Sequence, residues 1–512
     1  MITKNGFHYW AFSTFLLSIT VLSIIFLNLI NKRKSISKNL KNLPPSPPKL
    51  PFIGNLHQFG SLVHQSFYLL SLKYGPLMIL QLGEVPWLIV SSSDMACAIM
   101  RTHDSIFASR PSIVVTDIIR FKDVAFEPYG EDWRQLKRIF TTHLMSNKMV
   151  GSYKTVREGE INTLVRKISN HASLSNGGPI ELTSLFFSFM TCLICRIVCG
   201  KFVLEEGRYH AFREMVEETF SLASRFSIGD LFPSMPWMDA LIGLSRRANK
   251  NREKWDRLLH EVIHVHIQRG ESDGCQEISF VDMLLSLRND ATINVELTTD
   301  RIKGLIGDAF AAGIDTTYIT LDWAMSELLK NPKEMKKLQE EVRGIIKHNN
   351  IVTSEDLAKM DYLRAVIKET LRLHPPLPLL LPRESMEECE INGFTIPKGT
   401  KVIINAWAIG REAKSWEAAE EFMPERFINS QVEYKGNSSH LIPFGAGRRI
   451  CPGIAFATTT SELVLANLVH NFDWELPEGM TIDEFDMSES PGMSVHRKDS
   501  LRLVVKHILA SN

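Results

Sequence analysis

A helical pattern of about 30 residues, opened by the capping pair Thr299-Asp300 and stopped at Asn331-Pro332, constrains this chain more than any other feature. At 1.5 Å per residue it forms a rod of roughly 45 Å, long enough to cross a whole domain, so the rest of the fold is expected to be arranged around it. Its middle reads Phe310-Ala311-Ala312-Gly313-Ile314-Asp315-Thr316-Thr317, placing a glycine, an acid and two hydroxyls among small apolar residues. Mid-helix glycine costs about 0.5–1 kcal/mol relative to alanine, and a buried carboxylate must find partners, so these residues point to a task other than stability. The competing reading is a solvated face, because Asp308, Asp315 and Asp322 recur at heptad spacing.

Around this rod, helical patterns dominate from Met95 to Leu373, while short β-like runs occur at Leu77–Leu82, Trp87–Val90, Phe394–Ile396 and Lys401–Ile404. The fold class is therefore mainly α with small β-sheets. Polar stretches near Ser173–Pro179, Gly270–Gln276 and Lys347–Asn350 are only loop-sized, which favours one large domain. The 58 basic and 58 acidic residues cancel, leaving no long-range field to gather phosphates; nucleic acid is excluded as the main partner and a small molecule favoured.

The N-terminus is different. Tyr9–Ile30 carries no Lys, Arg, Asp or Glu over about 22 residues, enough to cross a hydrocarbon core of about 30 Å as one transmembrane helix. It exceeds a signal-peptide core and lacks a small-residue cleavage site. Lys32, Arg33, Lys34, Lys38 and Lys41 follow it and only Lys4 precedes it, so the body is expected on the cytosolic side of the lipid bilayer. The run Pro44-Pro45-Ser46-Pro47-Pro48, with Pro51, reads as a semi-rigid strut. Residues 1–31 are thus read as an anchor, 32–56 as a basic and proline-rich hinge, and 57–512 as the body. Seven cysteines in a cytosol-facing body are expected to stay reduced.

Near the C-terminus, Pro443-Phe444-Gly445-Ala446-Gly447-Arg448-Arg449-Ile450-Cys451-Pro452-Gly453 surrounds one sulfur with glycine, arginine and proline. Glycines admit backbone amides close to the sulfur, and amides with nearby arginines favour the thiolate, the metal-binding form. With no second ligand at zinc spacing the sulfur makes no structural zinc site, but a lone thiolate can be the single axial ligand of a haem. A rival cluster, Cys192, Cys195 and Cys199, falls at i, i+3 and i+7 and reads as an apolar helix stripe without a fourth ligand. Histidines show no H-E-x-x-H pair, and no phosphate-binding loop is present.

Phe444-x-x-Gly447-x-Arg449-x-Cys451-x-Gly453 resembles the haem-binding signature of the cytochromes P450, the haem-thiolate monooxygenases. Glu369-Thr370-Leu371-Arg372 is similar to the family's E-x-x-R, Phe422-Met423-Pro424-Glu425-Arg426-Phe427 to its PERF region, and Ala312-Gly313-Ile314-Asp315-Thr316 to its oxygen-activation motif. The resemblance covers essentially the whole chain and is nearest to plant A-type microsomal members. It implies the P450 fold and haem b held by the Cys451 thiolate, with Trp133, Lys137, Arg383, Phe444, Gly447, Arg449 and Gly453 about the cofactor. Lys137 stands where the family often has arginine, making that contact a point charge in place of a fork. Asp315 and Thr316 are implied as the acid and alcohol that relay protons, with Gly313 leaving room beside the oxygen. Glu369 and Arg372 share a helix face by their i,i+3 spacing, and the family adds Arg426 to form a structural network.

The resemblance further implies electrons from NADPH through a membrane-bound NADPH–cytochrome P450 reductase, O2 as co-substrate, and an endoplasmic reticulum location, single-pass, with the catalytic body facing the cytosol. Basic residues near the thiolate side, Arg448 among them, are candidate reductase contacts. Variable pocket positions, by analogy, include Phe310, Ala311, Ile314, Leu380 and Met493. Their apolar character suits a terpenoid-like plant specialised metabolite, with a coumarin, another phenolic or an alkaloid as alternatives. A reductase-independent isomerase or dehydratase is the other enzymatic reading, against which the Asp315-Thr316 pair counts; a haem sensor without turnover would need neither that pair nor an adaptable apolar pocket.

Overall fold

The computed structural model describes residues 42–174, 177–200, 206–225, 227–269, 279–288, 290, 295–346, 351–434 and 438–508. The predicted membrane span, the residues 32–41 of the hinge, and the expected loops at 270–276 and 347–350 lie outside them.

The rod is realised as α5 (Thr299–Lys330), with the Thr298 side chain accepting the Arg301 amide at its start and Asn331 ending it before Pro332. The cap is thus one residue earlier than the sequence suggests. Helix α5 is buried on nearly every side, including Asp315 and Asp322, so the solvated-face reading fails. Its largest partner is α3 (Leu182–Cys199). At their crossing, a Cβ on Gly313 would lie 2.8 Å from Ile194 Cδ1, so the glycine serves close helix approach. Among the described residues α3 is the one helix long and apolar enough to cross a membrane, yet it is a core element. Cys195 and Cys199 are buried within it, as the stripe reading predicts.

Further helices complete the bundle: α1 (Val63–Tyr74), α2 (Glu131–Phe140), α4 (Leu244–Arg269), α6 (Asp361–Leu373) and α7 (Ile454–Asn471). All four predicted β runs are strands. Three enter one sheet: β1 (Leu77–Leu82) pairs antiparallel with β2 (Val85–Val90), which pairs parallel with β4 (Lys401–Ile404), itself antiparallel to the short β3 (Arg383–Glu384). Phe394–Ile396 forms a hairpin with Cys389–Ile391. A three-stranded antiparallel sheet joins Ile180–Glu181, Arg502–His507 and Phe472–Glu475.

The proline run packs on this body. Pro44 and Pro47 are buried, the Ile79 amide of β1 donates to Pro45 O at 2.9 Å, and Asn55 Nδ2 donates to Pro48 O at 3.2 Å. Rigid proline geometry is therefore used to lay the chain along the edge of a sheet.

Candidate haem-thiolate site

The PERF and E-x-x-R residues sit behind the site. Glu369 and Arg372, fully buried on α6, form a two-pronged ion pair at 2.6 and 2.8 Å. Arg426 Nε adds a third contact to Glu369 at 3.0 Å, and Arg372 also donates to the carbonyls of Gly410, Ala419 and Glu421. The network clamps α6 to the segment before the cysteine loop.

That loop turns at Gly445 and Gly447, both in the left-handed region at φ 68° and 69°. A side chain at Gly447 would strike Met100 O at 2.1 Å and Asp104 Oδ1 at 2.4 Å. Close approach is needed there because the Arg448 amide donates to both Asp104 carboxylate oxygens at 3.0 Å. Of the loop glycines, Gly453 supplies the amide at the sulfur, 3.3 Å from Cys451 Sγ, and the Cys451 amide returns to Phe444 O at 3.0 Å. Burial pushes the Cys451 thiol up, while the Gly453 amide and the Lys137 ammonium pull it down.

Cys451, Phe444 and Gly453 line a cavity of about 1370 Å³, counting the space at its open mouth. Helix α5 contributes Ala309, Ala312, Gly313, Thr316, Thr317 and Thr320, at three- and four-residue steps along one face, together with Asp308. Trp133 and Lys137 of α2, Arg383 of β3 and Arg449 also line it, joined by Arg110, which sequence reasoning missed. An isolated arginine before Pro111 has no spacing signal to betray it.

These cations are held by carbonyl oxygens. Arg449 donates to Ala108 O and Glu127 O, each at 2.6 Å, and lies over the Trp133 ring. Arg110 donates to Ala125, Leu381 and Pro382 carbonyls at 2.8–2.9 Å. Arg383 donates to Ala446 O at 2.8 Å, with Asp104 at 3.6 Å. Lys137 Nζ donates to Arg448 O and to Ile450 O at 3.1 Å, so it binds the cysteine loop itself. Burial, then mutual repulsion, pushes Arg449 down to about 9 and Lys137 to about 8; burial lowers Arg383 to about 10. Such clustering of buried cations against carbonyl dipoles is relieved by an anionic ligand, which two haem propionates supply. With one sulfur at the same cavity, the donor set fits haem.

The remaining predicted positions divide. Leu380 lines the cavity, with a backbone φ of 52°, but Phe310, Ala311, Ile314 and Met493 do not. Phe310 instead packs edge-on to Phe212 at 5.5 Å and beside Trp255 of α4, and Ile314 is wholly buried in the helical core. Thr316 faces the cavity, its Oγ1 donating to Ala312 O at 2.8 Å. Asp315 does not line it: the carboxyl is buried against Ser494, and burial raises it to about 7. The acid and alcohol therefore occupy different faces of α5.

The family model described as Cytochrome P450 matches residues 44–502. The chain is a cytochrome P450. It is 46% identical over 463 residues to cytochrome P450 71A1 of Persea americana, covering 89% of this chain and 92% of the relative. It is 43% identical to cytochrome P450 71A26 of Arabidopsis thaliana over 94% of this chain and 97% of the relative. A phenylacetaldehyde oxime monooxygenase of Prunus mume is 43% identical, over 96% and 95%. A zebrafish cytochrome P450 solved with abiraterone shares the fold, with a TM-score of 0.73 at 23% identity, covering 87% of this P450 and 99% of that chain. This P450 is thus a plant A-type haem-thiolate monooxygenase.

Proposed function

We propose that this P450 inserts one atom of O2 into a small hydrophobic plant specialised metabolite, by hydroxylation or epoxidation, with a terpenoid-like substrate favoured. One observation carries the reading: a single cavity brings together a thiol-bearing loop, a set of buried cations and an apolar helix face bearing Thr316. When bound, haem supplies the activation of dioxygen. Cys451 Sγ would hold the iron, and Arg110, Lys137, Arg383 and Arg449 the propionates.

The chain's own residues do the rest. Ala309, Ala312, Leu371, Leu377 and Leu380 give an apolar wall that takes up a hydrophobic substrate and excludes water. Thr316 presents a hydroxyl that passes a proton at Oγ1, exchanging its bond to Ala312 O for one into the cavity. Asp315, its carboxyl raised to about 7, holds a proton behind that wall near neutral pH. The likeness to an oxime monooxygenase keeps aromatic substrates, the phenolic alternative included, in the test panel.

Electrons come from NADPH through a membrane-bound NADPH–cytochrome P450 reductase. The protein sits in the endoplasmic reticulum membrane by residues 1–31, with residues 57–512 in the cytosol and 32–56 between them. The test is turnover in reductase-containing microsomes against mixed terpenoids and phenolics, with product masses compared with and without NADPH. Gain of one oxygen only with NADPH is expected. A mass-neutral conversion that ignores NADPH would replace this reading with an isomerase.

A further inference from the structure

The expectation that the histidines hold no H-E-x-x-H pair is corrected by α4. His260-Glu261-Val262-Ile263-His264 has that spacing, which sets two imidazoles one above the other on a helix face, an arrangement that chelates zinc. The monooxygenase reading makes no use of it, because the segment lies outside the haem cavity.

Both rings stand in the open on a fixed backbone. His260 and His264 are exposed, their rings near-parallel at 26° with centroids 6.2 Å apart, and neither has a hydrogen-bond partner among the described residues. Leu259, Val262 and Ile263 bury the opposite side of this turn in the core. His266 faces that way too: it is buried, with Nδ1 2.6 Å from Asp282 Oδ1, and takes no part. Asp256, Arg257 and Glu261 line the same groove as the pair. Asp256 Oδ1 is held by Lys303 Nζ of α5 at 2.7 Å, and Arg257 Nε donates back along its own helix to Glu253 O at 3.3 Å.

Imidazole nitrogen suits zinc, copper and nickel among the divalent ions, and carboxylates beside it favour a cation. An ion about 2.0–2.1 Å from one nitrogen of each ring fits between them after a small rotation of the two exposed side chains. Among the described residues no three ligating side chains converge on one point, so water must fill the other positions. We propose that His260 and His264 form a two-histidine site for a divalent transition-metal ion of the zinc and copper class. The ion staples one turn of α4, which the Asp256–Lys303 bond already ties to α5.

The test uses the tag-free, full-length, haem-loaded protein in lipid nanodiscs, stripped with a chelator and titrated with zinc sulfate against a zinc indicator, with magnesium as the control. The parent is expected to bind zinc and not magnesium, and zinc should raise its melting temperature. His260→Gln and His264→Gln should each weaken zinc binding by about tenfold or more. Adding Gln268→His to His260→Gln rebuilds an i,i+4 pair with His264 one turn further on and should recover both the affinity and the thermal shift. An unchanged carbon monoxide difference spectrum confirms that every variant folds. No zinc binding in the parent, equal affinity in the parent and the His260→Gln/His264→Gln double variant, or a loss that the rebuilt pair does not recover would overturn the assignment.

Discussion

Asp315 carries a titration with a definite sign. Burial is the main cause that lifts its carboxyl from 3.8 to about 7, with Ser494 opposing and Glu217 adding to the rise. The folded protein holds this proton more tightly than the unfolded chain, so the contribution to stability is full below pH 4 and is lost as pH rises to about 7. Asp315→Asn, neutral throughout, is expected to gain stability over the parent as pH increases, by up to about 4 kcal/mol above pH 7. Melting curves of the two proteins that run parallel from pH 5 to 8 would contradict this. Cys451→Ser is expected to fold yet lose the thiolate signature in the carbon monoxide difference spectrum; a retained signature would assign the sulfur elsewhere. At this scale the cysteine loop is legible from sequence because glycine, arginine and proline crowd one sulfur. The cavity face of α5 is not, because a helix buried all round has no polar side to set its phase. Phe310 and Ile314, placed at the cavity by analogy, lie off that face.

Among elements, the segment 122–127 links both sides of the site. Its carbonyls at Val124, Ala125 and Glu127 receive Trp133, Arg110 and Arg449, while α5 holds its Val124 amide through Asp308. It can lie so close only because residue 304 is glycine: a Cβ there would be 2.1 Å from Lys122 O and 2.5 Å from its carbonyl carbon. Gly304→Ala is expected to cost about 1–3 kcal/mol despite its better helix propensity, and to speed haem release to an acceptor protein. An unchanged release rate would show that the segment does not support the cofactor. The clamp behind the cysteine loop responds differently. Glu369→Gln strands two buried guanidinium groups and is expected to destabilise by about 3–5 kcal/mol, read as a lower melting temperature; an unchanged melting temperature would place the clamp outside the fold's stabilising contacts. The helix-borne Glu369–Arg372 pair could be read from its spacing, whereas Arg426 comes from a distant turn and needed the resemblance.

For the molecule as a whole, removing residues 1–31 is expected to move most of the protein from the membrane fraction to the soluble fraction, with the body still able to bind haem. Unchanged sedimentation with membranes would assign the attachment to the body. Mainly helical architecture and three strands of the principal sheet were legible from periodicity, because those runs are long or strongly apolar; the two-residue β3 was not. Long-range pairing was not: the parallel register of Trp87–Val90 with Lys401–Ile404 leaves no mark in either segment alone. That pairing governs how the protein is made. During synthesis, β2 must wait as an unpaired edge until β4 has left the ribosome, and such non-local closures are slow and prone to misassembly. The cavity waits longer still, since its lining runs from Arg110 to Ala457. A nascent chain halted before Cys451 would carry most of the helical bundle and no completed cofactor cradle, which makes haem capture one of the last events in the protein's biogenesis.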